Sequence, residues 1–227
     1  MNLASTVPVL TLDGPSGTGK GTVGQLVASQ LGWHYLDSGA IYRVFAVMAE
    51  RANIQPSDLI GLETFSNTLV IKFESRSNSI AVYCNDIDLS EIIRTESTGD
   101  LASLYASVPV VRKSVLNLQK QQRRTPGLVA DGRDMGTTVF PDAKYKFFLN
   151  ASAEVRAERR YKQLKVKGFD GSLSTLREEM RLRDDRDANR KTAPMVMADD
   201  AKEIDTSDLN IEEVVNRIIN IVRNPTD

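Results

Sequence analysis

Apolar residues fall along this chain in short runs, separated by stretches in which they recur every three or four positions. Residues 7–12 (VPVLTL), 33–36 (WHYL), 128–130 (LVA), 145–149 (YKFFL) and 202–205 (KEID) have the length of strands in a covered sheet. Between them, Val23, Leu26, Val27 and Gln30 share one side of a helix over 22–31. Ile41, Val44, Phe45, Met48 and Ala52 do the same from about Gly39. Helices are also expected over 153–168 and from Thr175, where TLRE forms a capping pattern. The capping-box pattern NIEE at 210–213 opens a last one. Strands and helices that alternate in this way predict an α/β fold, a parallel sheet flanked by helices.

One stretch breaks the alternation. Residues 68–74 (TLVIKFE) and 79–85 (SIAVYCN) are rich in β-formers and separated only by polar residues, a hairpin signature. We read 62–101 as a small antiparallel subdomain inserted into a single 1–227 domain.

Composition narrows the function classes. A length of 227 residues suffices for one sizeable core with an embedded subdomain. The formal net charge of −1 argues against a general nucleic-acid or membrane-surface binder. One cysteine, Cys84, cannot form an internal disulfide, and with one histidine, His34, it leaves no thiolate–imidazole metal cluster. No apolar run approaches the ~20 residues of a membrane span, and MNLASTVPVL lacks the basic start of a secretory signal. A cytoplasmic monomer with small-molecule substrates is the expectation.

The most informative stretch is LTLDGPSGTGKGTVGQL at 10–26. Gly14, Pro15, Ser16, Gly17, Thr18, Gly19 and Lys20 fit the phosphate-loop pattern G-x-x-x-x-G-K-[S/T], but Gly21 stands where the hydroxyl belongs, and Thr22 follows it. Glycines let successive N–H groups curl toward one anion. The helix that follows adds its N-terminal partial charge, and Lys20 adds a full one. A plain strand–helix turn would not require a lysine at that place.

The displaced hydroxyl bears on metal binding. In many phosphate-loop proteins the residue after the lysine ligates Mg²⁺. Gly21 cannot, and Thr22 lies about 100° further round the helix, so it suits a phosphate oxygen better. Mg²⁺ would then rest on ATP oxygens, water and an acidic residue from another strand. Asp131 is placed for that, without a certain direct bond; an Asp-Gly turn would account for the same residue.

This G-K-G-T ending resembles the nucleoside monophosphate kinases, not the GTPase switches, and the chain has no N-K-x-D motif. With LDSGAIYR (36–43), DGRDMGTTVFPDA (131–143), RDDRDANR (183–190) and the insert after the second helix, it is similar to the bacterial cytidylate kinase family from about Val9 onward. The resemblance implies a phosphate-loop kinase fold whose insert binds the monophosphate, with a helical lid at 153–175. It also implies transfer of a phosphoryl group from ATP to CMP and dCMP with Mg²⁺.

The same resemblance implies the site residues. Ser38, Arg112 and Asp134 would surround the base, with Tyr42 beside them. Cytosine offers an amino donor next to two acceptors, so a carboxylate, a guanidinium and a hydroxyl suit it. Uracil would turn a carbonyl toward Asp134, at a penalty of about 1–3 kcal/mol. Arg43, Arg133 and Arg190 match the family's phosphate-binding arginines, and Arg183 and Asp187 its sugar contacts. Arg183, Asp187 and Arg190 lie at helical spacing on one face, in a segment (181–190) with four arginines and three aspartates. Intrahelical ion pairing would produce the same spacing. One or two of Arg156, Arg159 and Arg160 on the lid helix would swing onto the transferring group; the sequence does not single one out, and Arg160 is carried as the candidate alongside Lys20 and Arg133.

Two rivals remain at this level. A kinase of the same architecture with another acceptor would share the loop. A non-catalytic nucleotide-binding module would share it too, but would have no use for a second set of arginines.

Overall fold

The computed structural model describes residues 7–76, 79–166, 168 and 170–224. Its strands are β1 (Val9–Asp13), β2 (His34–Asp37), β3 (Ile71–Arg76), β4 (Ser79–Cys84), β5 (Ile87–Asp88), β6 (Leu128–Asp131), β7 (Tyr145–Asn150) and β8 (Lys202–Asp205). Its helices are α1 (Lys20–Leu31), α2 (Ser38–Arg51), α3 (Leu59–Ser66), α4 (Glu96–Ala106), α5 (Pro109–Gln121), α6 (Ala153–Lys165), α7 (Leu173–Asn189) and α8 (Ile211–Arg223). The chain divides into two compact units, Met1–Asp37 with Lys120–Asp227, and Ser38–Gln119.

The first unit is built on a five-stranded sheet of order β2-β6-β1-β7-β8, with every pairing parallel. All five residues of β1 are buried, as expected of a central strand covered on both faces. Leu10, Leu12, Phe147 and Leu149 of the sheet cluster with Val23 and Val27 of α1 and with Val214, Val215, Ile218 and Ile219 of α8. Each fully buried side chain of this size contributes roughly 1.5–3 kcal/mol. Truncating Leu12 to Ala would cost about 2–5 kcal/mol.

Local chemistry sets the ends of these elements. Asn210 accepts from the Glu213 amide at 3.0 Å while its own amide donates to Glu213 at 2.8 Å, so the capping box of α8 closes as its sequence implies. α1 begins at Lys20, two residues before the expected start, because Gly19 already sits at φ 92° as its N-cap. α7 starts at Leu173, because Ser172, not Thr175, caps it: its hydroxyl accepts from the Thr175 amide at 3.1 Å. The helix stops at Asn189, so Arg190 is extended (ψ 141°) and does not lie on the helical face with Arg183 and Asp187. α6 ends at Lys165; Lys167 and Phe169 of the expected 153–175 lid fall outside the described residues.

The second unit holds the antiparallel sheet β3-β4-β5. The expected hairpin forms, but its first strand starts at Ile71, not Thr68, and runs on to Arg76; Ser77 and Asn78 fall outside the described residues. The sheet is narrower than 62–101, however, since α3 occupies the start of that range and α4 its end. Thr95 caps α4 by accepting from the Thr98 amide at 3.2 Å. Phe45 of α2 stacks edge-on against Phe65 of α3 and tilted against Tyr105 of α4, with ring centroids 5.9 and 6.0 Å apart. The Tyr105 hydroxyl donates to the Ile54 carbonyl at 2.6 Å, which satisfies this phenol as the ring packs into the core.

Candidate active site

Three adjacent strands of the first unit, β1, β2 and β6, end in Asp13, Asp37 and Asp131, with Asp37 and Asp131 in register. In open α/β sheets ligands bind outside these carboxyl ends. The glycine loop leaves β1 there. Gly14 has φ 134°, and a Cβ on it would lie 2.1 Å from the Leu149 carbonyl oxygen, so only glycine lets the loop pass β7.

Lys20 is buried at the first turn of α1. Its Nζ donates to the Pro15 carbonyl at 2.6 Å and to Thr18 Oγ1 at 3.2 Å, which folds the ammonium into the loop. Burial lowers its pKa to about 7, and the positive charge of Arg133 works in the same direction. Burial lifts Asp131 in turn, against the pull of Lys20. Asp13 is raised to about 7 by burial, although its carboxylate accepts from the Met135 and Gly136 amides, both at 2.8 Å. Those bonds fix the turn that carries Arg133 and Asp134 to the strand that carries the glycine loop.

Arg133 spans the site. It donates through Nη2 to Ser16 Oγ at 2.9 Å and through Nε to Asp187 Oδ2 at 3.2 Å. Burial opposes its charge, but Asp187, Asp184 and Asp131 outweigh burial and hold the guanidinium charged. Asp134 is buried and paired with Arg190, Nη2 to Oδ1 at 3.0 Å. The Ser16 amide donates to Asp184 at 3.2 Å.

The three arginines of α6 singled out in the sequence have different partners. Arg156 donates to the Ser16 carbonyl at 3.0 Å, to the Ala151 carbonyl at 3.1 Å and to Asp184. Arg159 donates to Thr206 Oγ1 at 3.0 Å and to the carbonyls of Thr206 and Leu209 at 2.6 and 3.2 Å. Arg160 donates to the exposed Gln163 amide at 3.2 Å, a neutral partner on its own helix.

In the second unit, Ser38 Oγ accepts from Gln119 Nε2 at 2.7 Å, and both residues are buried. The Arg112 guanidinium lies 5.6 Å from the centroid of the Tyr42 ring and donates to the Ala106 carbonyl at 3.4 Å. Arg43 donates to the Ile93 carbonyl at 2.8 Å. Within its unit, then, the structure brings Arg112 to the Tyr42 ring and Gln119 to Ser38. Arg183 lies on α7, four residues before Asp187.

Sequence reasoning missed Asp13, Asp184 and Gln119. Asp13 could have been noticed as the last residue of β1 before the loop. Asp184 lies in the charge-dense segment already singled out, whereas nothing local marks Gln119. Among the described residues no group of three or more His, Cys, Asp or Glu side chains could hold a metal ion, and no helix is long and apolar enough to cross a membrane. A single carboxylate such as Asp131 still fits Mg²⁺, which is commonly held by one or two carboxylates plus substrate phosphates.

A family profile described as cytidylate kinase matches residues 10–224. A cytidylate kinase of Methylococcus capsulatus is 51% identical over 221 residues, covering 97% of this chain and 99% of that protein. One of Aeromonas salmonicida is 50% identical over 212 residues, covering 93% and 92%. Among solved structures, an uncharacterized protein of Eubacterium ventriosum matches with a TM-score of 0.50 at 10% identity, over 96% of this chain and 99% of that one, a likeness of fold alone. With that match and those identities over nearly its whole length, the chain belongs to the cytidylate kinase family.

Proposed function

We propose that this chain transfers the γ-phosphoryl group of ATP to CMP and dCMP, giving ADP with CDP or dCDP. The observation that carries the reading is Arg133: one partly buried guanidinium touches both Ser16 of the phosphate loop and Asp187 of α7. A residue so placed can meet the donor's phosphates and the acceptor at once.

Little covalent help is required. The acceptor's phosphate oxygen is already a nucleophile at neutral pH. It attacks the γ-phosphorus, and the bond to the β–γ bridging oxygen breaks, its electron pair leaving with ADP. Positioning, charge neutralisation and exclusion of water supply the rate. The loop amides from Ser16 to Gly19, with Gly21 and Thr22, cradle the ATP phosphates beside Gly14 and Pro15, and Lys20 exchanges the Pro15 carbonyl for a phosphate oxygen. That exchange restores its charge. Asp131 would hold Mg²⁺ on the protein side, and the ion would supply charge neutralisation of the phosphates.

Arg43, Arg133 and Arg190 bind the acceptor's phosphate, each contact contributing roughly 1.5–3 kcal/mol. Arg183 and Asp187 bind the sugar. Ser38, Tyr42, Arg112 and Asp134 read the base, and Gln119 orients Ser38 by donating to its oxygen. Arg160 is assigned to the transferring group, as the family resemblance implies of a lid arginine, whereas Arg156 and Arg159 are engaged by a carboxylate of α7 and by carbonyl oxygens of the loop and of the segment after β8. Closure of α6 and α7 over ATP would keep water out.

The test is ADP production from Mg·ATP with CMP, dCMP, UMP, AMP and GMP, each alone. Fast turnover with the two cytosine acceptors and much slower turnover with the rest is expected. Activity only with another acceptor would keep the kinase and discard the cytosine assignment.

A further inference from the structure

The glycine at position 21 leaves the phosphate loop without its usual hydroxyl, and the space beside it is not empty. A Cβ built on Gly21 would lie 3.6 Å from Asp131 Oδ2 and 3.8 Å from the Tyr35 hydroxyl. Those two atoms are bonded to each other: the phenol donates to the carboxylate at 3.0 Å. The ring that delivers this hydroxyl crosses α1 at Gly24, where an added Cβ would meet Tyr35 Cε2 at 2.7 Å. Two glycines one turn apart on α1 thus form the groove in which Tyr35 lies. β2 sets the height of the hydroxyl, since Asp37 pairs in register with Asp131 and Tyr35 stands two residues earlier.

We infer that Tyr35 is a positioning residue for the metal–nucleotide complex: its hydroxyl, standing where a loop serine or threonine would reach, fixes the Asp131 carboxylate toward Mg·ATP. This rests on the functional reading above. A carboxylate on a strand end can rotate about its last torsion, and a charge-assisted bond to one oxygen selects one orientation of the other. Partners that orient a metal-binding group in this way commonly change metal affinity or activity 10- to 100-fold when removed. The tyrosine does so without touching substrate.

The experiment compares the full-length wild type with Tyr35→Phe, Gly21→Ser and the double variant Tyr35→Phe/Gly21→Ser. Tyr35→Phe keeps the ring in its groove and removes only the hydroxyl, and melting temperature checks that it folds. Calorimetry measures ATP binding in the presence of Mg²⁺ and again in excess EDTA; turnover is followed against Mg²⁺ concentration. Tyr35→Phe is expected to weaken Mg·ATP binding about 10-fold and to raise the Mg²⁺ needed for half-maximal turnover similarly, while metal-free ATP binding stays within about twofold. Adding Gly21→Ser, whose hydroxyl would approach Asp131, should recover part of the loss. Equal weakening with and without Mg²⁺, or no weakening at all, would show that the tyrosine only packs. If the wild type bound Mg·ATP but transferred to no acceptor, the functional reading would fall, and the two binding measurements would still decide the role of Tyr35.

Discussion

Arg190 and Asp134 form an ion pair in which both side chains are almost wholly withdrawn from water, at 5% and 3% exposure. The arginine is the proposed ligand of the acceptor's phosphate and the aspartate the proposed reader of its base, so the two must part, or share the pair, when the acceptor enters. Removing Arg190 takes from the buried Asp134 the opposite charge that faces it. Arg190→Met should therefore destabilise the nucleotide-free protein by about 3–5 kcal/mol, measured by urea unfolding. A change below about 1 kcal/mol would mean that water already reaches the pair.

Lys20 is the charge nearest the loop. Lys20→Met should lower kcat by about 100-fold or more, with melting temperature unchanged or raised, since a desolvated ammonium is removed. Normal turnover in this variant, measured with saturating Mg·ATP and CMP, would contradict the mechanism.

The pH behaviour of the same residue has a definite sign. Its pKa in the empty protein is lowered to about 7 from the ordinary 10.5, so between those values the unfolded chain binds more protons. The Lys20 contribution to stability therefore rises with pH above about 7. ATP favours the protonated form, so binding at about pH 8 should take up a proton. Calorimetry in buffers of different ionisation enthalpy should show this uptake in the wild type and not in Lys20→Met.

The lid arginines separate two roles. Arg156 and Asp184 are both mostly buried, so Arg156→Ala should cost stability, by about 3 kcal/mol. Arg160→Ala should cost less stability than Arg156→Ala and lower kcat about 10- to 1000-fold, the loss expected when a charge on the transferring group is removed. Comparing denaturation with turnover for the two variants checks the division.

Much of this was legible in the sequence because it is local. The glycine loop, the capping box of α8 and the β3–β4 hairpin depend on spacings of a few residues, and each forms, the hairpin with its first strand shifted toward the C-terminus. α4 was hidden inside the expected antiparallel stretch, since its sequence, ESTGDLASLYA, is poor in strong helix formers and packing on α2 decides it. The pairing of Asp13 with two amides more than 120 residues away has no local signature. Nor does the bond from Gln119 to Ser38, 81 residues apart. Arg190 illustrates a finer limit: periodicity placed it on the α7 face, but the helix ends one residue earlier, and its charge turns to Asp134 instead.

The most direct test of the account is the ratio of kcat/KM for CMP to that for UMP, in the wild type and in Asp134→Asn. A carboxylate accepts from the cytosine amino group and repels the uracil carbonyl, whereas an amide can face either. The wild-type ratio should be about 10 to 100, falling toward 1 in the variant, mainly through loss of CMP activity. An unchanged ratio would remove Asp134 from base recognition and with it the cytosine site described here.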